Sequence, residues 1–77
     1  MTNIIILQIK SGYNIQDIKF RLRYFFGEQL TNKINPKENK GFILLNMPIK
    51  TYEGVKDNLP CSRVDLTHEQ QQQFLNN

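Results

Sequence analysis

Two apolar runs dominate the pattern along the chain. The first, NIIILQIK at residues 3–10, is rich in β-branched side chains and is followed by the turn-forming SGYN. Both faces of such a strand are apolar over residues 4–7, which predicts a central strand. The second, GFILLNM at residues 41–47, follows NPKENKG and is closed by Pro48. The Asn, Pro and Gly of residues 35–41 predict a hairpin loop. Residues 30–35, LTNKIN, are expected as the short edge strand before that loop.

Residues 18–26 carry two periodicities. At helical spacing Ile15, Ile18, Leu22, Phe25, Phe26 and Leu30 share a face. At strand spacing Ile18, Phe20, Leu22, Tyr24 and Phe26 alternate with Lys19, Arg21 and Arg23. Asn14 as a cap, Asp17 in the first turn and Gly27 as a stop favour the helix. In that reading Phe20 and Tyr24 lie opposite the main apolar stripe. Residues 50–59 predict a second helix, with Thr51 as cap, Tyr52, Val55 and Leu59 on one face, and Pro60 beyond it. Gly54 weakens this helix by roughly 1 kcal/mol relative to alanine. SRVDL, residues 62–66, alternates and is expected as the last strand.

The order strand, helix, strand, strand, helix, strand defines an α+β ferredoxin-like βαββαβ sandwich: four antiparallel strands with two helices on one face. A small all-β barrel is the alternative if residues 18–26 form a strand. Residues 1–66 are expected as a single α+β domain and residues 67–77 as a polar, glutamine-rich C-terminal tail. That tail is expected to fray or to become a short helix on a partner, with Phe74 and Leu75 available to dock.

The order and one motif resemble the RNA recognition motif family. That family carries on its third strand an octapeptide of the form [K/R]-G-[F/Y]-[G/A]-[F/Y]-[V/I/L]-x-[F/Y]. Lys40-Gly41-Phe42-Ile43-Leu44-Leu45-Asn46-Met47 is similar to it, and FFGEQ at residues 25–29 is similar to the Phe-Gly that ends the family's first helix. The family's first-strand hexapeptide would fall on residues 4–9. The resemblance implies single-stranded RNA binding on a sheet face. The sequence departs from the pattern where Leu44, Met47 and Ile5 stand in place of aromatics. A base stacked on an aromatic ring contributes roughly 1–3 kcal/mol, so one ring in place of three removes most of that term. The plainer reading of Lys40-Gly41-Phe42 is a hairpin glycine followed by a core phenylalanine.

Charge adds a direction. The chain of 77 residues has a net charge of +3. Between Lys19 and Lys40 lie six basic residues and two acidic ones, and elsewhere four basic and five acidic. Lys10, Lys19, Arg21, Arg23, Lys37 and Lys40, with Phe42 and Leu44, are therefore the candidate nucleic-acid contacts. Ile5, Phe20 and Tyr24 are the candidate protein-interface residues, in a complex subunit, a homodimer or an inhibitor of the kind encoded by phages and mobile elements.

Catalysis has no positive signal. Cys61 and His68 are the single cysteine and the single histidine, and their spacing matches neither a nucleophile pair nor a metal motif. A packed thiol and a surface histidine are expected, with no cofactor and no metal. One cysteine permits no internal disulfide, which points to an intracellular, reducing compartment. No apolar run approaches the ~20 residues of a membrane span, and residues 1–10 read as a strand in place of a signal peptide.

Overall fold

The computed structural model describes residues 3–75, with side chains described through residue 73. The elements are β1 (Asn3–Ile9), α1 (Ile15–Ile34), β2 (Lys37–Asn39), β3 (Phe42–Met47), α2 (Ile49–Val55), a 3-10 helix (Lys56–Asn58), β4 (Cys61–Arg63) and α3 (His68–Leu75). The strands form one antiparallel sheet in the order β2-β3-β1-β4, open at both edges. This is the ferredoxin-like α+β arrangement; the sheet is not closed into a barrel.

Register explains the core. Ile5 pairs with Leu45, Leu7 with Ile43 and Ile9 with Cys61. Side chains alternate across a strand, so these residues share the inner face. Ile18, Leu22 and Ile34 of α1 and Tyr52 and Val55 of α2 close over that face, with Leu59. Both helices therefore lie on one side of the sheet. The outer face carries Ile4, Ile6 and Gln8 of β1 opposite Asn46, Leu44 and Phe42 of β3.

Residues 18–26 are helical. Asn14 and Asp17 form a reciprocal capping box: Asn14 Oδ1 accepts from the Gln16 and Asp17 amides at 2.8 and 3.3 Å, and Asp17 Oδ2 accepts from the Asn14 amide at 2.8 Å. Gly27 interrupts the helix without ending it. Its φ of 82° and ψ of 168° lie in a region open essentially to glycine alone. The break rotates the following turns. An unbroken helix would carry the stripe from Leu22 and Phe26 to Leu30. Instead Leu30 is exposed, while Thr31 and Ile34 point inward. The buried Thr31 hydroxyl donates to the Gly27 carbonyl at 2.7 Å, which satisfies the hydroxyl within the helix itself. Asn35, at φ 52°, caps the helix before Pro36.

Several boundaries differ from the sequence expectation. Residues 30–34 belong to α1, so the edge strand falls later, at Lys37–Asn39. The hairpin loop shrinks to Lys40 and Gly41, both at positive φ (55° and 84°), as in a type I′ turn that matches strand twist. Pro48, not Thr51, precedes the second helix, and it makes no side-chain cap. β4 is Cys61–Arg63 and stops short of Leu66. Residues 68–75 of the expected tail are helical, with Thr67 accepting from the Gln70 amide at 3.1 Å. Docking by the Phe74 and Leu75 side chains lies outside the described residues.

The turn gives a test of the register. Lysine tolerates positive φ poorly, and asparagine is preferred at this position of a type I′ turn. Lys40→Asn should raise stability by about 0.5–1 kcal/mol, and Gly41→Ala should lower it by about 1–2 kcal/mol, in urea denaturation monitored by circular dichroism.

Candidate functional site

The candidate residues separate into three places. Lys37, Lys40, Phe42 and Leu44 lie at the hairpin end of the sheet, with Lys37 opposite Leu44 and Asn39 opposite Phe42 on the outer face. Phe42 is half-buried and stands outside the core cluster, so the core reading of this ring is corrected. Lys19, Arg21, Arg23, Phe20 and Tyr24 lie on α1, in the layer behind the inner face. Lys10 lies just past β1, its amide bonded to the Pro60 carbonyl at 2.9 Å. The cations of α1 therefore do not join Phe42 on one surface.

Ile5 does not serve as an interface residue. It is 1% exposed and belongs to the core, because alternation places Ile4 and Ile6 on the outer face. The expected hexapeptide register is consequently one residue out of phase, since a one-residue shift exchanges the two faces. Met47 is also in the core and offers no surface for stacking.

Among the described residues the two most exposed large apolar side chains lie on the outward side of α1. Phe20 and Tyr24, one helical turn apart, are 69% and 77% exposed. Phe25 is also exposed and meets Tyr24 edge-on, with ring centroids 5.2 Å apart and an interplanar angle of 90°. The sequence pattern had assigned Phe25 to the buried stripe; the structure exposes it, while Phe26 packs against the core. A hollow of about 480 Å³ lies among Asp17, Phe20, Arg21, Tyr24, Phe25 and Asn58. Arg21 is oriented there by donating from Nη1 to the Asn58 carbonyl at 2.9 Å. The Asp17 carboxylate is fixed by the capping box.

A second concavity, of about 400 Å³, opens between β4 and the α2 and 3-10 segment. Lys10, Lys56 and Arg63 line it with Tyr52, Glu53 and Asp57. The sequence reading did not find it. The recurrence of Tyr52 with Lys56 and of Glu53 with Asp57 at four-residue spacing was the available signal. Cys61 lies in its floor, and burial pushes the thiol up to about 11, with Lys10 acting weakly in the opposite direction. Burial, chiefly, also raises the Tyr52 hydroxyl. The thiol is therefore neutral at pH 7 and a poor nucleophile. His68 is exposed at the start of α3. Among the described residues no group of three or more His, Cys, Asp or Glu side chains could hold a metal ion. No described helix is long and apolar enough to cross a membrane.

No known family, curated protein or solved structure matches the chain.

The thiol yields a pH prediction. The unfolded chain releases the Cys61 proton near the ordinary value of 9.0 and the folded chain only near 11. The stability it protects is complete below pH 9 and is lost as pH rises toward 11. The urea midpoint of the wild type should fall across that window. In Cys61→Ala the fall should be shallower, whatever the offset caused by the smaller side chain.

Proposed function

We propose that this chain is a protein-interaction module, acting within a complex or as an inhibitor of another protein, and that it engages its partner through the outward side of α1. The exposure of Phe20 and Tyr24 carries this reading. Covering both rings would recover on the order of 5 kcal/mol at ~25 cal/mol per Å² of apolar surface. Association costs about as much or more, so the rings act as anchors within a contact of roughly 1,000 Å² or more. Lys19, Arg21 and Arg23 surround the rings, against Asp17 alone among acids at residues 15–26. The matching partner surface is acidic, with an apolar recess for two aromatic side chains. The fixed Asp17 carboxylate beside the rings favours a protein over a phosphate backbone.

Single-stranded nucleic acid, RNA foremost, on the outer sheet face is the second reading. Phe42 on that face, with Lys37 and Lys40 beside the same hairpin, favours it and fits the likeness to the RNA recognition motif.

The test compares wild type, Phe20→Ser with Tyr24→Ser, and Phe42→Ala. Each protein is used to capture partners, and any protein retained is purified and titrated against all three. The double variant should weaken binding at least tenfold while shifting stability by no more than about 0.5 kcal/mol per site, since both rings are exposed. Phe42→Ala should bind as the wild type does. Fluorescence anisotropy with labelled single-stranded RNA and DNA across a salt series is the opposing arm. Salt-sensitive binding that depends on Phe42 and not on Phe20 and Tyr24 would transfer the function to the sheet.

A further inference from the structure

We propose that the cleft between β4 and the α2 and 3-10 segment is a binding site for a small phosphate-bearing molecule. Its volume of about 400 Å³ falls within the usual range for small-molecule sites, roughly 300–1,000 Å³. Its three cations come from separate elements: Lys10 after β1, Lys56 in the 3-10 helix and Arg63 on β4. Folding thus brings together charges that lie far apart in the sequence. Arg63 touches Asp65 only loosely, at 3.8 Å between two largely exposed side chains, which leaves its guanidinium fork available.

Tyr52 supplies an independent observation. The residue is 3% exposed, and its ring is part of the core, yet it lines the cleft. Its hydroxyl makes no hydrogen bond to any described residue, and no fully enclosed side-chain polar atom among them lacks a partner. The hydroxyl is therefore not fully enclosed, and among the described residues it has no acceptor. An otherwise buried phenol aimed at a cationic hollow is the arrangement an oxyanion would complete.

Donor chemistry selects the ligand class. A carboxylate has two oxygens and a single negative charge, which one bidentate arginine neutralises. A phosphate monoester presents three terminal oxygens and close to two negative charges at neutral pH, which suits three cations and a phenol. The neutral Cys61 thiol adds no negative charge. Glu53 and Asp57 oppose the cations, leaving a net charge of +1 on the cleft, and offer acceptors to hydroxyl groups on the body of the ligand. The site is separate from the aromatic side of α1, so it stands or falls independently of the proposed protein contact.

The test is a titration of the full chain with inorganic phosphate at constant ionic strength, followed by amide chemical shifts, with acetate and glycerol 3-phosphate as parallel probes. Saturable shifts at residues 52–63, larger for glycerol 3-phosphate than for phosphate and absent with acetate, are expected. Lys56→Gln, at an exposed position, should weaken binding about tenfold without changing the melting temperature, as expected for one charge-assisted contact. Tyr52→Phe keeps the core ring, removes the donor and should weaken binding about threefold or more. Shifts that fail to saturate, that spread over Lys19, Lys33 and Lys40, that acetate reproduces, or that persist unchanged in both variants would overturn the assignment.

Discussion

Antiparallel pairing between β1 and β3 is the constraint on which the rest of the structure depends. The register from Asn3–Met47 to Gln8–Phe42 sets every later placement. It turns Ile5 and Leu7 toward Leu45 and Ile43, and those four side chains form the floor on which α1 and α2 rest. A chain of 77 residues has no second core to fall back on. A slip of one residue would move Ile4 and Ile6 inward and expose the floor, so the two-residue turn at Lys40 and Gly41 has a share in holding the pairing in phase.

The pattern of the chain exposes this constraint more clearly than its consequences. The two strong strands, the element order and the Asn14 cap are legible because each rests on local chemistry: β-branched runs, turn residues and a capping side chain. The C-terminal boundary of the first helix was not. Its apolar stripe reads correctly through Leu22 and Phe26, then fails at Leu30, because Gly27 rotates the following turns and gives the inward positions to Thr31 and Ile34. Glycine is permissive, and a sequence does not tell whether it ends a helix or redirects it. That ambiguity displaced the edge strand and the hairpin loop together. The stripe also fails at Phe25, ahead of the break, which the structure exposes.

The surfaces follow the same division. Phe20 and Tyr24 were legible as a problem, because two large apolar residues opposite the buried stripe have nothing within one sandwich to cover them. The cleft beside β4 was not legible. Its cations come from three elements whose approach depends on the length of the 3-10 helix and on where β4 begins, and neither is encoded in a local pattern. The break at Gly27 lets one helix carry the capped, aromatic and cationic turns before it and a separately aimed turn after it, with Ile18 and Leu22 of the first segment and Ile34 of the second all reaching the core.

Ile6 decides how much weight the outer face of the sheet can bear. It sits at the centre of that face, opposite Leu44, and its carbonyl accepts from the Val64 amide at 2.9 Å. It is nonetheless only 4% exposed, and Leu44, Val64 and Leu66 are half-buried. A stacking platform requires open area around its rings, because a base must lie flat over a π face. Here Ile6 at the centre of the face is already shielded, and the exposed positions around it are Ile4 and Asn46 at one end, Gln8 at the other and Lys37 at the edge. The outward side of α1 has the opposite character: its rings are held by a rigid capped helix, stand clear of the body and are bordered by charge of one prevailing sign. Burial at the middle of the sheet and exposure along the helix are what favour the proposed contact on α1 over one on the sheet.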